Sequence, residues 1–158
     1  MPRLFGTDGI RGKANTYPIT PEIALKVGKA VARIYAKENG TAKAIIGKDT
    51  TGYMLETALT SGMLSMGMDV LEIGPMPTPA VAHLVRSMGA DVGVMITASH
   101  NPSDDNGIKI FSADGFKLPD EVEDRIEQLM NEDTSTLPPS KIGKAYRIED
   151  ARGRYIEF

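Results

Sequence analysis

The chain has 158 residues, 41% of them hydrophobic and 25% charged; this composition fits one ordinary globular domain and excludes collagen-like, coiled-coil and disordered proteins. Its formal net charge of −3 argues against nucleic acid or an anionic membrane as a partner, because both attract clustered positive charge. Cysteine is absent, which excludes disulfides and thiolate metal sites.

The first predicted element is a helix over residues 20–39. Thr20 is suited to cap it, Pro21 fits the first helical position, and Gly40 suits the residue just beyond its end. Its apolar residues recur at helical spacing and indicate one buried stripe, made of Ile23, Val27, Ala30, Val31 and Ile34. A short apolar strand is predicted next, at residues 44–46.

Three more elements follow in alternation. The second helix ends at Gly67 and has one apolar face, which carries Leu55, Leu59, Met63 and Met66. Residues 70–73 are predicted as the next strand. The third helix begins at Thr78 and ends at Gly89.

The most apolar strand is predicted at residues 92–96 and should be buried on both faces, as in a sheet covered by helices. Residues 108–111 form a further strand after a loop too short for a helical crossover, so we expect it to run antiparallel to a neighbour. Pro119 opens a last helix, whose inner face carries Val122, Ile126, Leu129 and Met130. This alternation predicts an α/β fold, a three-layer α/β/α domain with a mixed, mostly parallel sheet.

Weaker signals lie beyond the last helix and at the amino terminus. Residues 131–140 are polar and proline-rich, which is typical of a linker or surface loop. Residues 144–158 contain no complete predicted element and are interpreted as the start of a segment that is cut off. No signal segment follows Met1, and no apolar run approaches the roughly 20 residues of a membrane span, so we expect a cytoplasmic protein.

The loop after the most apolar strand contains the leading candidate for chemistry. Ser99 is predicted at the rim of the sheet, beyond the carboxyl ends of parallel strands, where ligands of α/β proteins bind. His100 offers a donor and a titratable group beside it, and Pro102 biases Asn101 away from helical geometry. Spacing alone favours an Asn-Pro turn with a capping Ser over catalysis.

Two basic residues are further candidates. Arg11 lies among the glycines of residues 6–12, which let the backbone approach a ligand that an Arg can bind bidentately. In isolation this segment is interpreted as a structural turn. Lys109 alternates with apolar neighbours on its strand, where a single Lys usually faces solvent. The adjacent Asp104 and Asp105 are interpreted as turn residues rather than as a cation site.

Five segments, in this order, resemble the α-D-phosphohexomutase superfamily, and most closely its phosphoglucosamine mutase family. They are residues 5–12 (FGTDGIRG), 74–81 (GPMPTPAV), 97–102 (TASHNP), 105–109 (DNGIK) and 114–118 (DGFKL). Each motif is weak alone, but five in the right order are specific, and the likeness runs over nearly the whole chain. The resemblance reverses the preference for a structural interpretation of Ser99, Arg11 and Lys109.

The resemblance implies an intramolecular phosphotransferase that interconverts glucosamine 6-phosphate and glucosamine 1-phosphate through a 1,6-bisphosphate, on the way to peptidoglycan precursors. Ser99 matches the family's active serine, which rests as phosphoserine. A magnesium ion is implied, bound to Ser99 through a phosphoryl oxygen and to three aspartates. Arg11 and Lys109 match active-site basic residues, with Lys109 as the candidate proton shuttle, and His100 flanks the serine.

The same resemblance divides the chain and leaves its site incomplete. Residues 1–144 correspond to the first, phosphoserine-bearing domain, and residues 145–158 to a linker and the truncated start of the second. The magnesium-binding aspartates belong to the second domain, and the sugar- and phosphate-binding loops to the third and fourth. We therefore expect this chain to be inactive alone. The implied partners are a phosphorylated amino sugar and the remaining domains, and a homodimer stays open.

One loop departs from the family pattern. After Gly-Lys-Asp-Thr the family continues with Arg-x-Ser-Gly, whereas here Thr50 is followed by Thr51 and Gly52, so the Arg and its phosphate contact are missing. Either the loop is shorter or residues are omitted, and we expect a chain break or a mobile loop at this point. By itself, the segment of residues 47–52 is interpreted as an Asp or Thr cap, although helix starts also attract anions.

Other functions stay open at this point. Phosphoglucomutase and phosphomannomutase are the nearest rivals, because the sugar-reading loop is not in this chain. A non-catalytic sugar-phosphate-binding module is a second alternative. A dinucleotide-dependent oxidoreductase would fit the α/β alternation, but the chain lacks G-x-G-x-x-G after a strand, and it also lacks the G-x-S-x-G elbow of serine hydrolases.

Overall fold

A six-stranded sheet organises the chain in the computed structural model, which describes residues 3–49, 52–97, 104–132 and 135–149. In chain order the strands are β1 (Ile10–Lys13), β2 (Lys43–Lys48), β3 (Asp69–Pro75), β4 (Val92–Ile96), β5 (Asp105–Ser112) and β6 (Ala145–Arg147). The helices are α1 (Pro21–Tyr35), α2 (Tyr53–Ser65), α3 (Thr78–Ser87) and α4 (Asp120–Met130).

The strands lie in the order β1-β5-β4-β2-β3-β6. Neighbours from β4 to β6 pair in parallel, whereas β5 pairs antiparallel with both β4 and β1, as predicted for this strand. One apolar cluster packs between the sheet and α1, α2 and α4, and a second packs between the sheet and α3. The predicted α/β/α arrangement with a mixed sheet is therefore confirmed.

The central strand β4 shows why its sequence is continuously apolar. All five of its residues are buried. Val94 faces the cluster beneath α1, α2 and α4, while the next residue, Met95, joins the cluster beneath α3. Because side chains alternate between faces along a strand, helices on both sides of the sheet require apolar residues at every position.

Two glycines let α1 and α2 pack in direct backbone contact. A Cβ at Gly28 would lie 2.3 Å from the carbonyl oxygen of Leu59, and a Cβ at Gly62 would lie 2.3 Å from that of Leu25. A methyl group fits at neither position. This close crossing holds α2 against the sheet, with its first turn at the end of β2.

The first helix begins where predicted but ends earlier. Thr20 accepts a hydrogen bond from the amide of Ile23 at 3.3 Å, and a proline occupies the first turn. The predicted end at Asn39 is wrong, since Tyr35 is the last helical residue. Ala36 adopts an extended conformation with ψ of 137°, which turns the chain away from the helix axis and towards β2.

Two strands lie where the sequence predicts no element. The strand β1 includes Arg11 and pairs with β5, and β6 pairs with β3. The interpretation of Asp105 as a turn residue is wrong, because it is the first residue of β5 and pairs with Lys13. The domain boundary after residue 144 stays a prediction, and the last strand of the sheet begins at Ala145.

The expectation for Thr50–Thr51 falls outside the described residues, and so do residues 150–158 of the segment that was predicted to be cut off. Within the described ranges, no helix combines the length and the apolar character that crossing a membrane requires.

Candidate functional site

The parallel strands end together at one side of the sheet. β2 ends at Lys48, which pairs with Pro75 at the end of β3 and with Ile96 at the end of β4. In open α/β sheets, ligands bind outside the carboxyl ends of the strands. We refer to this end of the sheet, where β2, β3 and β4 terminate, as the carboxyl edge.

The chain leaves β4 at the carboxyl edge through Thr97. The Thr97 amide donates to the carbonyl oxygen of Gly107 at 3.1 Å, and the residue is buried. The described chain resumes at Asp104, whose carbonyl oxygen accepts a hydrogen bond of 2.7 Å from the amide of Ala14, the residue after β1. The predicted site residues Ser99 and His100 lie between these two anchors in the sequence and outside the described residues.

The two predicted basic residues lie on the same face of neighbouring strands. Arg11 on β1 pairs with Gly107 on β5, and Lys109 lies two residues further along β5, paired with Met95. Ile10 and Met95 belong to the clusters on opposite faces of the sheet. Because side chains alternate, Arg11 and Lys109 both lie on the face covered by α3, so the structure brings these two candidates together.

Arg11 also lies beside the chain that leads to the predicted serine. A Cβ added to Gly107 would be 3.3 Å from Cγ of Arg11 and 3.3 Å from the carbonyl oxygen of Thr97. Nη1 of Arg11 is 3.8 Å from Oδ2 of Asp8, whose side chain is 62% exposed. Ion pairs of this distance and exposure are weak. Since Arg11 and Thr97 both pair with Gly107, the strand pairing brings the Arg11 backbone close to Thr97.

A glycine allows β1 to begin against β5. Gly9 has φ of 84°, and its carbonyl oxygen accepts a hydrogen bond of 2.8 Å from the amide of Gly6. A Cβ at Gly9 would lie only 2.1 Å from the carbonyl oxygen of Ile108. Glycine meets both demands, the left-handed conformation and the close approach of two backbones.

A pocket with a volume of about 170 Å³ opens next to Lys109. The residues that line it include Thr7, Asp8, Gly9, Thr78, Lys109, Lys117 and Glu123. Typical ligand pockets measure roughly 300–1,000 Å³, so this one is large enough for part of a small ligand only.

Glu123 is a buried carboxylate beside this pocket that the sequence pattern did not single out. Its side chain is 1% exposed, and its Oε1 lies 3.1 Å from both Nη2 of Arg3 and Nζ of Lys117. Charge-assisted hydrogen bonds of this kind are strong and directional, so Glu123 fixes the position of Lys117. The sequence does indicate that Glu123 is buried: it lies three residues before Ile126, and residues three apart share one face of a helix, here the inner face of α4.

Lys48 is a second buried charge, and it lies at the carboxyl edge itself. It is 2% exposed, its Nζ donates to the carbonyl oxygen of Asp49 at 3.4 Å, and Nζ lies 3.5 Å from the ring centroid of Tyr53. The ring face attracts the ammonium and partly replaces water. The N-cap residue of α2 is Gly52, which has no side chain to accept a capping hydrogen bond, and Thr50 and Thr51 of the predicted cap lie outside the described residues.

Glu56 is a buried carboxylate that interacts electrostatically with the buried Lys48, the half-buried Glu72 and the exposed Arg147. Burial raises the pKa of the Glu56 carboxyl above its ordinary value, and Glu72 raises it further, while Lys48 and Arg147 oppose the shift. These four residues come from α2, β3, β2 and β6. The electrostatic potential at this edge therefore depends on elements that are far apart in the sequence.

The described residues do not fit a magnesium site. Across these residues, no three or more His, Asp or Glu side chains are grouped so that they could hold a metal ion. Asp104 is 60% exposed, with its Oδ2 3.9 Å from Nζ of Lys13, and Asp105 belongs to β5. The implied magnesium ion would need carboxylates from another part of the protein.

The sequence matches a known family. Residues 2–137 match the family described as phosphoglucomutase/phosphomannomutase, alpha/beta/alpha domain I. The phosphoglucosamine mutase of Thermodesulfovibrio yellowstonii is 59% identical over 99% of this chain, and that of Paracoccus denitrificans is 56% identical over 99%. The chain spans 36% of the length of each of these two relatives.

Solved structures share the fold. A protein of Thermus thermophilus, assigned as a phosphomannomutase, matches with a TM-score of 0.80 and 30% identity over 99% of this chain and 35% of its own. A phosphoglucomutase/phosphomannomutase family protein of Burkholderia thailandensis matches with a TM-score of 0.78 over 98% of this chain and 34% of its own. At 22% identity, the second likeness concerns the fold alone.

Proposed function

The chain belongs to the phosphoglucomutase/phosphomannomutase family, and on that premise we propose that it is the phosphoserine-bearing domain of a phosphoglucosamine mutase. The proposed reaction interconverts glucosamine 6-phosphate and glucosamine 1-phosphate through a 1,6-bisphosphate. The observation that carries this proposal is the placement of Arg11 and Lys109 on one sheet face, with Arg11 beside Thr97. Thr97 precedes Ser99 by two residues, so the proposal puts the positive charge of Arg11 near the phosphoserine.

In the proposed cycle, Ser99 gives its phosphoryl group to a hydroxyl of the sugar phosphate. The bond from phosphorus to the sugar oxygen forms as the bond to Ser99 Oγ breaks, and the other phosphoryl group of the bisphosphate later returns to Oγ. Negative charge spreads over the phosphoryl oxygens in the transition state, so nearby cations accelerate the transfer. We assign this charge to Arg11, and to Lys109 the exchange of a proton with Oγ. His100 is assigned beside the serine as a hydrogen-bonding group.

Magnesium would neutralise phosphoryl oxygens when bound, since a phosphoserine carries about −1.5 to −2 charges at neutral pH. The one ligand that we assign to it in this chain is a phosphoryl oxygen on Ser99. The described residues offer no group of carboxylates for the ion, so its aspartates are proposed to come from a following domain. By itself, this chain is therefore proposed to lack turnover.

The identity of the sugar rests on the curated relatives. Relatives at 54–59% identity are named phosphoglucosamine mutases. The alternative, a phosphomannomutase, is favoured by one observation, the assignment of the Thermus protein at 30% identity. The higher identity supports glucosamine phosphate as the substrate.

The test uses the longer protein that contains this chain. Turnover of glucosamine 6-phosphate, glucose 6-phosphate and mannose 6-phosphate is measured for the wild type, Ser99→Ala and Ser87→Ala. Ser87 is the matched control because it ends α3, which leads to the amino end of β4, on the opposite side of the sheet from Thr97. We expect Ser99→Ala to lose most turnover, Ser87→Ala to keep it, and glucosamine 6-phosphate to be the preferred substrate.

Each part of the proposal has its own contrary result. Unchanged turnover in Ser99→Ala would refute the phosphoserine mechanism. A preference for mannose 6-phosphate would refute the substrate while leaving the mechanism intact. A wild-type protein that binds sugar phosphates without any turnover would identify the domain as part of a binding module.

A further inference from the structure

The chain contains two Asn-Gly pairs, Asn39-Gly40 and Asn106-Gly107, in opposite surroundings. An asparagine followed by glycine is chemically prone to deamidation, because no Cβ hinders attack by the glycine amide on the preceding side chain. We propose that Asn39 is a deamidation site of the folded protein and that the sheet protects Asn106. This inference is independent of the proposed function.

The reaction balances with water as the co-reactant. The amide nitrogen of Gly40 attacks Cγ of Asn39, the bond from Cγ to the side-chain nitrogen breaks, and that nitrogen leaves as ammonia with the proton of the Gly40 amide. The product is a cyclic imide. Water then opens the imide at either carbonyl carbon, which gives aspartate or isoaspartate.

Asn39 is placed for this reaction by the loop between α1 and β2. Asn39 and Gly40 are both exposed, and among the described residues no hydrogen bond engages the Asn39 side chain or the Gly40 amide. Gly40 has φ of 92°, and a Cβ added there would meet nothing within 4 Å. The backbone can therefore rearrange for ring closure without breaking a hydrogen bond or displacing packed atoms.

Asn106 is held in the opposite way. It is 4% exposed, and its Oδ1 accepts a hydrogen bond of 2.9 Å from the Gly107 amide, the group that would have to attack. Gly107 pairs with Arg11 on β1, and its carbonyl oxygen accepts from Thr97 at 3.1 Å. Ring closure there requires β5 to leave its place between β1 and β4, and such an opening is rare in the native state.

The product would change the side of the sheet away from the candidate site. Asn39 lies before β2, at the amino end of the parallel strands, whereas Thr97 follows the carboxyl end of β4. The new carboxylate would be adjacent in sequence to Glu38, with no contact to Arg11 or Lys109 in the described structure. We therefore expect the modified protein to keep its fold and any activity of the longer protein.

Peptide mapping of the folded chain, aged at mildly alkaline pH, tests the inference. Trypsin cleavage after Lys37 and Lys43 releases residues 38–43, and cleavage after Arg86 and Lys109 releases residues 87–109. Fragment spectra then locate the change from amide to acid. We expect Asn39 to convert to aspartate and isoaspartate at least about tenfold faster than Asn106, because only Asn106 must wait for the sheet to open.

A parallel sample aged in denaturant separates the fold from the sequence. There, both asparagines should convert at similar rates, and Asn39 should convert about as fast as it does in the folded chain. Equal rates at the two sites in the folded chain would overturn the inference. It would also be overturned if folding protected Asn39 as strongly as it protects Asn106.

Discussion

Substituting Gly9 tests whether backbone contact between β1 and β5 places Arg11 beside Thr97. In Gly9→Ala, the added Cβ would lie 2.1 Å from the carbonyl oxygen of Ile108 and 3.2 Å from Cα of Lys109. Both are backbone atoms, which cannot move aside as the end of a flexible side chain can. The first residues of β1 must therefore separate from β5.

The structure provides a matched control for the expected cost. Gly40 has nearly the same φ, 92° against 84° for Gly9, but a Cβ there meets nothing within 4 Å. An alanine in this conformation costs about 1–2 kcal/mol, partly offset by about 0.4–1 kcal/mol from the restricted unfolded chain. Gly40→Ala should therefore cost about 1 kcal/mol or less. Gly9→Ala adds an overlap of about 1–3 kcal/mol, for a total of about 2–4 kcal/mol.

Urea unfolding of the two variants and the wild type measures both free energies. When the slopes are similar, the difference between the two midpoints multiplied by the common slope gives the overlap term. In the longer protein, Gly9→Ala should also reduce turnover more than Gly40→Ala does, because Arg11 moves with β1. Equal destabilisation by the two substitutions would show that the strands do not approach as closely as described.

Three further predictions concern buried positions. Gly62→Ala should destabilise the protein by about 2 kcal/mol, because overlap with the Leu25 carbonyl outweighs the helical preference for Ala. The exposed control Ser61→Ala should instead stabilise it by roughly a few tenths of a kcal/mol. Urea midpoints that rise for both variants would contradict this prediction. The pKa of Glu56 is raised in the folded state, so the free energy of unfolding of the wild type should fall as the pH rises from about 4.5 through the folded-state pKa. Glu56→Gln should abolish this fall. Identical pH profiles of the urea midpoint in wild type and variant would refute the raised pKa of Glu56. Glu123→Gln should lower the free energy of unfolding by about 1–2 kcal/mol, because it weakens the contacts of Glu123 with the half-exposed Arg3 and Lys117. This destabilisation should be smaller in high salt. A destabilisation that salt does not change would rule out its ionic origin.

Local patterns in the sequence were sufficient to predict the helices and the central strands. The Thr20 cap and the apolar stripe of α1 are set by residues a few positions apart, so they can be read without knowing the fold. The end of α1 is different, because Ala36 turns the chain in order to reach β2. The conformation of Ala36 serves to connect α1 to the sheet, and no residue between Ala36 and Asn39 indicates in the sequence that the helix ends there.

The two edge strands could not be predicted for a related reason. β1 has four residues and β6 three, too few for an alternating pattern to emerge. Both become strands through pairing with distant segments, such as Ile10 with Ile108. Pairing between residues so far apart in sequence is a property of the assembled sheet.

Part of the candidate site was accessible from the sequence and part was not. The motifs identified Arg11 and Lys109, and only the register of β5 places them on one face. Lys48 was passed over because a charged residue in a loop-like motif usually lies in solvent. Its alternation with Ala44 and Ile46, both in the core, indicated an inward position that could have been recognised.

The most direct test of the central claim follows a labelled phosphoryl group through one turnover. The longer protein, radiolabelled on its phosphoserine, is mixed with excess unlabelled glucosamine 6-phosphate, and the label is traced in peptides and sugars. We expect the label to start on the peptide that contains Ser99, to leave it at the rate of turnover, and to appear in the sugar bisphosphate and then in the monophosphates. Label that stays on this peptide while product accumulates, or that is found from the start on another residue, would contradict the assignment of Ser99 as the phosphoryl carrier.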